Sequence, residues 1–272
     1  MMTCSPVEHC VASFRAAVFA LCVLCGWQPA AGQTAVSAKG KPNLLLIVAD
    51  DLGYSDLGCY GGEIRTPNLD ALAARGLRAT DFHAAPSCSP TRSMMLTGTD
   101  NHVAGIGNMA EWTGPAQKGK PGYEGYLNTR AASVAALLRD GGYHTCMAGK
   151  WHLGDRPDQW PAARGFERDF TLLPGAGSHW ADMKGLLPTE PKVAYTRNGR
   201  LVESLPDDYY SSEDFTDFIL QCLRENEGRP FFAYLAYQAP HGPLAVPEAW
   251  RDKYRGRSRS AARESHPRLL RP

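Results

Sequence analysis

Four places in the chain put side chains able to do polar chemistry next to an apolar run. Cys88 stands in Pro86-Ser87-Cys88-Ser89-Pro90-Thr91-Arg92-Ser93, which continues as Met94-Met95-Leu96-Thr97-Gly98. Pro90 fixes φ near the helical value and lacks the N–H that a first turn leaves unpaired, so a helix is expected to begin near it. Cys88 then lies at the mouth of that helix, near its free N–H groups and the positive end of its dipole. With Arg92 one turn away, such a place suits a tetrahedral oxyanion. Asp50-Asp51 follows the apolar run 43–49. Paired carboxylates supply the hard oxygens that Ca²⁺ or Mg²⁺ takes, although Asp-Asp-x-Gly by itself also reads as a turn. Lys150 and His152 stand two apart after the run 143–149, so on extended chain they share one side. A solvated lysine and a core histidine are the plain alternative for that pair. His241, held between Pro240 and Pro243 after the run 231–237, reads alone either as a site residue or as part of a rigid turn.

The elements that must place these residues follow from periodicity. Residues 43–49, 143–149 and 231–237 are short, nearly continuous apolar stretches, as expected for strands buried on both faces. Between them lie helical patterns. Residues 66–76 end on Gly76, residues 129–140 carry Val134, Leu137 and Leu138 on one side, and a helix capped by Ser211 or Ser212 runs to Asn226. In that last helix Phe215, Phe218, Ile219, Cys222 and Leu223 form the apolar face. Residues 77–82 read as a strand leading to Cys88, with His83 a structural residue on the approach. Residues 107–126 read as a long loop near a pocket mouth, and 157–206 as irregular chain with short strands such as 192–196. This alternation makes an α/β fold with a mainly parallel sheet. Ligands bind at the carboxyl ends of such strands, where Asp50-Asp51, Lys150/His152 and His241 converge.

Composition is that of an ordinary globular chain: 43% hydrophobic, 21% charged, net charge +1 over 272 residues. Residues 251–272 hold eight of the 29 Lys/Arg and two of the 28 Asp/Glu, so the remaining body is net acidic and gives no sign of nucleic-acid binding. Arg15, the apolar run 16–25 and Ala30-Ala31-Gly32 read as a signal peptide over residues 1–32, with export to a periplasm or outside the cell and no stable membrane insertion. That leader holds Cys4, Cys10, Cys22 and Cys25. Cys59, Cys88, Cys146 and Cys222 remain, without metal-site spacing or a disulfide framework, and Cys59, Cys146 and Cys222 read as apolar packing residues.

Cys88-Ser89-Pro90-Thr91-Arg92 with Leu96-Thr97-Gly98 resembles the signature of the type I sulfatases. The run Thr99-Asp100-Asn101-His102-Val103-Ala104-Gly105-Ile106-Gly107 is similar to the bacterial arylsulfatase branch, and Gly149-Lys150-Trp151-His152-Leu153-Gly154 and Ala239-Pro240-His241-Gly242-Pro243 also match. The resemblance implies an alkaline-phosphatase-like fold and hydrolysis of sulfate monoesters, with Cys88 oxidised to Cα-formylglycine by a sulfatase-maturing enzyme. It implies a divalent cation, Ca²⁺ favoured over Mg²⁺, on Asp50, Asp51 and residue 88. Arg92 and Lys150 are implied to stabilise anionic charge, Lys150 and His241 to bind sulfate, His152 to position the formylglycine hydroxyls and His241 to assist the leaving group. A phosphonate or phosphodiester hydrolase of the same superfamily, or a non-catalytic remnant, stands beside it.

The resemblance assigns residues 33–254 to the N-terminal part of a sulfatase catalytic domain. The family's later Asp-Asn metal pair and second sulfate lysine have no counterpart here. Residues 255–272 form a basic tail without helix or strand pattern, for which an out-of-frame or prematurely ended gene is preferred over disorder or an anionic partner site. Low turnover by this chain is the expectation that follows.

Overall fold

The computed structural model describes residues 40–186 and 190–255. The expected leader 1–32 and residues 256–272 of the tail lie outside them. A six-stranded sheet carries the architecture. Its strands are β1 (Leu44–Asp50), β2 (His144–Lys150), β3 (Arg168–Leu172), β4 (Tyr195–Arg197), β5 (Arg200–Val202) and β6 (Phe231–Pro240), in the spatial order β1-β6-β2-β3-β4-β5. The first four positions in that order are mutually parallel, and β3-β4-β5 is an antiparallel extension. The mainly parallel α/β sheet is therefore the one expected.

Side-chain alternation along the two central strands divides the interior. Met147, Phe232 and Tyr234 join Leu96, Ile106, Leu127, Trp151 and Phe166 in one cluster. Cys146, Ala148, Ala233 and Leu235 join Phe170, Leu172, Tyr195, Phe215, Phe218 and Ile219 in the other. A period of two sends successive residues to opposite faces, so each central strand serves both clusters and is apolar throughout. β2 and β6 approach closely at Gly149 (φ +109°), where a Cβ would lie 1.9 Å from the Ala236 carbonyl oxygen. Only glycine fits there.

Helices α1 (Pro67–Arg75), α2 (Cys88–Thr97), α3 (Val134–Asp140), α4 (Ser211–Arg224) and α5 (Glu248–Asp252) complete the described elements. α2 ends where Gly98 takes a left-handed conformation and its N–H closes on the Met94 carbonyl. α4 buries Phe215, Phe218, Ile219 and Cys222, as its spacing requires. Its expected serine cap is replaced. Tyr210 precedes the helix and its N–H donates to the Asp214 carboxylate (2.9 Å), while the Ser211 hydroxyl is engaged by His179 (2.6 Å).

Four other expectations are corrected. β1 is an edge strand, not one buried on both faces: Leu46 and Val48 reach the core, but Leu45 and Ile47 are 53% and 49% exposed. A continuous apolar run does not reveal a strand's place in the sheet. Residues 77–82 form no strand; Leu77 and Phe82 are exposed, and the segment is tied to the turn at 58–60 by Arg78 on the Cys59 carbonyl and Tyr60 on the Ala79 carbonyl. α3 begins at Val134 rather than 129, because Ser133 accepts from the Ala136 N–H and sets the start. Two turns are too short to bury the whole expected stripe, so Val134 and Leu138 pack while Leu137 is exposed. His83, expected to be structural, lies on the surface 3.5 Å from Asp81.

Candidate active site

Asp50 ends β1, Lys150 ends β2, and His241 follows β6, the strand that lies between them. Parallel order with equivalent register carries all three to one edge of the sheet. α2 delivers Cys88 to the same edge as its first residue, two residues ahead of the helix start expected at Pro90. Ser87 before it is extended, and Thr91 bonds the Ala85 carbonyl (3.0 Å), fixing the entry of the chain.

The floor is a buried charge cluster. Lys150 Nζ donates to Asp50 Oδ2 at 2.5 Å, and Arg92 meets Asp50 Oδ1 at 3.2 Å. Arg92 also donates to the Lys150 carbonyl (3.0 Å) and the Tyr234 hydroxyl (3.3 Å), so it joins α2 to β2 and β6. Lys150 and Arg92 are essentially inaccessible to solvent. Burial pushes the Asp50 carboxyl up, but Arg92 and Lys150 outweigh it and hold the group below the usual carboxylate range. Burial raises the Cys88 thiol, and the Asp50 charge adds to that against the opposing pull of Lys150. Cys88 as a thiol is therefore held protonated, a poor state for a nucleophile.

Over this floor lies a cavity of about 740 Å³, lined by Asp51, Cys88, Lys150, His152 and His241 among others. Asp50 and Arg92 are not in its lining. Arg92 thus supports the site from behind, in place of the open anion seat its spacing from Cys88 implies. Asp51 is exposed, has φ +66° and meets His241 Nε2 at 3.7 Å. His152 also has positive φ (+57°), so it is not on extended chain as the two-residue spacing assumes. It still turns into the same cavity as Lys150. Asx and His are the side chains that most readily tolerate this conformation, and its use at two strand ends marks local strain at the site.

Donor atoms of Asp50, Cys88 and His241 all lie within 4.8 Å of one another. Ligands of one cation are separated by at most twice the metal–ligand distance, about 4.6–5.2 Å for Ca²⁺. Asp50 uses one lone pair of each oxygen on Arg92 and Lys150 and keeps two more. The spacing therefore suits one cation, but the set holds a single hard oxygen ligand in Asp50 beside a thiol and an imidazole. It fits a hard divalent cation once residue 88 presents oxygen in place of sulfur, with the Asp51 carboxylate nearby, 3.7 Å from His241.

Two residues here carry no motif in the sequence. Glu111 reaches His152 Nε2 at 3.1 and 3.3 Å from the short 3₁₀ turn Ala110–Trp112, inside the loop expected at the pocket mouth. His179 is buried, touches Ser211 and the Gln238 side chain (3.1 Å), and interacts with the backbone of His241 and Pro243. It braces the loop that carries His241. Nothing in its sequence surroundings distinguishes it. The four cysteines among the described residues are free; Cys146 and Cys222 are core residues as expected, while Cys59 is half-buried with its N–H on Asp70 (2.8 Å).

Comparison with known proteins gives a consistent answer. The Sulfatase family profile matches residues 42–269. The chain is 50% identical over 228 residues to an uncharacterized sulfatase of Schizosaccharomyces pombe, covering 80% of this chain and 41% of that protein. It is 42% identical over 228 residues to the arylsulfatase of Klebsiella aerogenes, covering 83% and 48%. Among solved structures, that of Ps i-CgsB superposes with a TM-score of 0.68 at 31% identity, covering 80% of this chain and 49% of that one. The chain thus spans less than half the length of these relatives.

Proposed function

From the premise that this chain belongs to the sulfatase family, we propose that it carries the nucleophile, the first metal ligands and part of the sulfate pocket of an exported sulfate monoester hydrolase. One observation carries this reading: Cys88, Lys150, His152, His241 and Asp51, up to 190 positions apart, line one cavity at the carboxyl edge of three adjacent parallel strands.

A sulfate monoester is shielded from nucleophiles by its negative oxygens. Hydrolysis requires a nucleophile held in line, countercharge on those oxygens and a proton for the departing alcohol. The raised pKa of Cys88 argues against its thiolate as that nucleophile. Oxidised to formylglycine by a maturing enzyme and hydrated, residue 88 offers a hydroxyl at the same place. That hydroxyl gives up its proton to water in the open cavity as its oxygen bonds to sulfur. The sulfur–oxygen bond to the alcohol breaks, and His241, entering the step protonated, protonates the departing oxygen. The second hydroxyl then loses its proton to His152, the carbonyl reforms and sulfate is expelled. Lys150 offsets charge on the sulfate oxygens from the cavity floor, and Arg92 keeps Asp50 and the floor in place. A divalent cation on Asp50, Asp51 and residue 88, Ca²⁺ in preference to Mg²⁺, supplies further countercharge when bound.

A relative at 30% identity was solved in complex with k-i-k-neocarrahexaose. The exposed Trp112 at the cavity of this chain offers an apolar face for a sugar or an aryl group alike. The test is expression with a formylglycine-generating enzyme, peptide mass spectrometry of residue 88, and rates on an aryl sulfate and an aryl phosphodiester. An aldehyde at residue 88 with the sulfate cleaved faster, at a low absolute rate for these 272 residues alone, is the expected result. A persistent thiol in protein that hydrolyses the sulfate overturns the nucleophile, and preference for the diester transfers the chain to phosphoryl chemistry.

A further inference from the structure

His152 is the group on which the second half of the proposed reaction depends, and its surroundings single out one of its two nitrogens. Nε2 faces both carboxylate oxygens of Glu111, at 3.1 and 3.3 Å. Nδ1 is buried and has no hydrogen-bond partner among the described residues. Gly175 closes the third side. A Cβ there would stand 2.6 Å from the ring carbon between the two nitrogens, so the imidazole occupies space that only a glycine leaves free. A positive φ at His152 fixes the backbone from which the ring projects.

We infer that Glu111 is the positioning residue of His152: its carboxylate accepts the Nε2–H, fixes the Nε2–H tautomer and leaves Nδ1 as the basic lone pair of the site. A carboxylate paired with one imidazole nitrogen sets both the tautomer and the orientation of the ring. Charge states agree with this arrangement. Burial pushes the Glu111 carboxyl up, but its bonds to His152 more than offset that, so it is anionic at neutral pH. Burial pushes His152 down, Glu111 opposes this, and the positive charges of Lys150 and Arg92 add to the lowering, so the ring is neutral there. An anion beside a neutral ring bearing Nε2–H is a good hydrogen bond; an anion beside a bare Nε2 is repulsive. The carboxylate therefore excludes the other tautomer.

The role of the Nδ1 lone pair as a base rests on the sulfatase reading, whereas the tautomer does not, so the two can fail separately. The experiment is imidazole ¹⁵N and ¹³C NMR on the full chain, titrated with pH, for the wild type, E111Q, E111A and G175A. H152Q identifies the His152 signals by their loss, and unchanged His144 and His179 signals report an intact fold. The wild type is expected as Nε2–H. E111Q keeps that tautomer, because the amide oxygen still accepts, but moves the His152 pKa further down since the anion is gone. E111A and G175A lose the single tautomer. In matured, active protein E111A lowers kcat by about 10–100-fold with little change in KM, and E111Q recovers part of it. A wild-type Nδ1–H tautomer overturns the inference even if the variants fail to fold. So does a His152 pKa and tautomer that neither Glu111 variant moves. Wild-type Nε2–H with the expected pKa shifts, but no effect of E111A on kcat, retains Glu111 as the tautomer's determinant and removes His152 as the base.

Discussion

Removing the Asp50 charge is the most informative perturbation of this site. In D50N the amide keeps the side-chain shape, but Lys150 and Arg92 lose the one carboxylate paired with both among the described residues. Both cations are shut away from water, at 0% and 2% exposure, so solvent cannot replace the lost partner. Removing one member of a buried ion pair costs about 3–5 kcal/mol, because the charge left behind is uncompensated. With a urea m-value of about 2–3 kcal/mol/M, the unfolding midpoint moves down by about 1–2.5 M. K150M alone is expected to cost less, since Asp50 keeps Arg92. D50N/K150M should cost less than the sum of the two single changes, because the second removes a charge the first had stranded. The pH dependence has a definite sign. Against the effect of burial, Arg92 and Lys150 hold Asp50 below the usual carboxylate range in the folded state. Its contribution is therefore complete above the unfolded pKa of about 3.9 and disappears as pH falls through the lower folded value. The gap between wild type and D50N should be constant from about pH 5 to 8 and close in stronger acid. Urea melts followed by tryptophan fluorescence across that range measure it. A D50N midpoint within about 0.3 M of wild type at pH 7, or a gap that persists through strong acid, refutes the neutralising role of Asp50.

G149A should fold poorly or not at all: its Cβ would meet the Ala236 carbonyl at 1.9 Å and its φ would be unfavourable, a combination expected to cost more than about 3 kcal/mol. Near-normal yield and melting temperature would contradict the close approach of β2 and β6. H179A strands the Ser211 and Gln238 groups and frees the loop after β6; a loss of about 1–3 kcal/mol, with new proteolytic cleavage around residues 241–245, is the expected readout. L45K/I47K places charge on the open face of β1, so stability should stay within about 0.5 kcal/mol of wild type while the soluble fraction in light scattering rises.

What was legible in the sequence was chemistry attached to apolar runs. Asp50, Lys150 and His241 each follow a strand, and alternation of strands with helices was enough to bring them to one edge. The relative order of those strands is not legible, so 43–49 reads as a strand buried on both faces: Leu45 and Ile47 look like core residues until their neighbour is known. Asn198-Gly199 is the turn dipeptide of a type I′ hairpin, and its two positive φ values (+51° and +71°) join β4 to β5. That signal was available and locates the hairpin better than the apolarity of 192–196 does. Glu111 and His179 were beyond reach because their partners, His152 and the 241 loop, are 41 and 62 positions away. An acidic residue in a loop has no period to announce it. Leu137 shows the converse, a member of a helical stripe left exposed while Val134 and Leu138 on either side of it pack.

The order β1-β6-β2 also has a consequence for biosynthesis. β6, the last made of the described strands, must slot between two made long before it, since neither β1 nor β2 pairs with the other. From the emergence of residue 150 to that of residue 240, about 90 residues at 5–20 per second, the nascent polypeptide displays two open hydrogen-bonding rims for roughly 5–20 s. Chaperone occupancy on the ribosome should peak in that interval and fall once β6 has emerged.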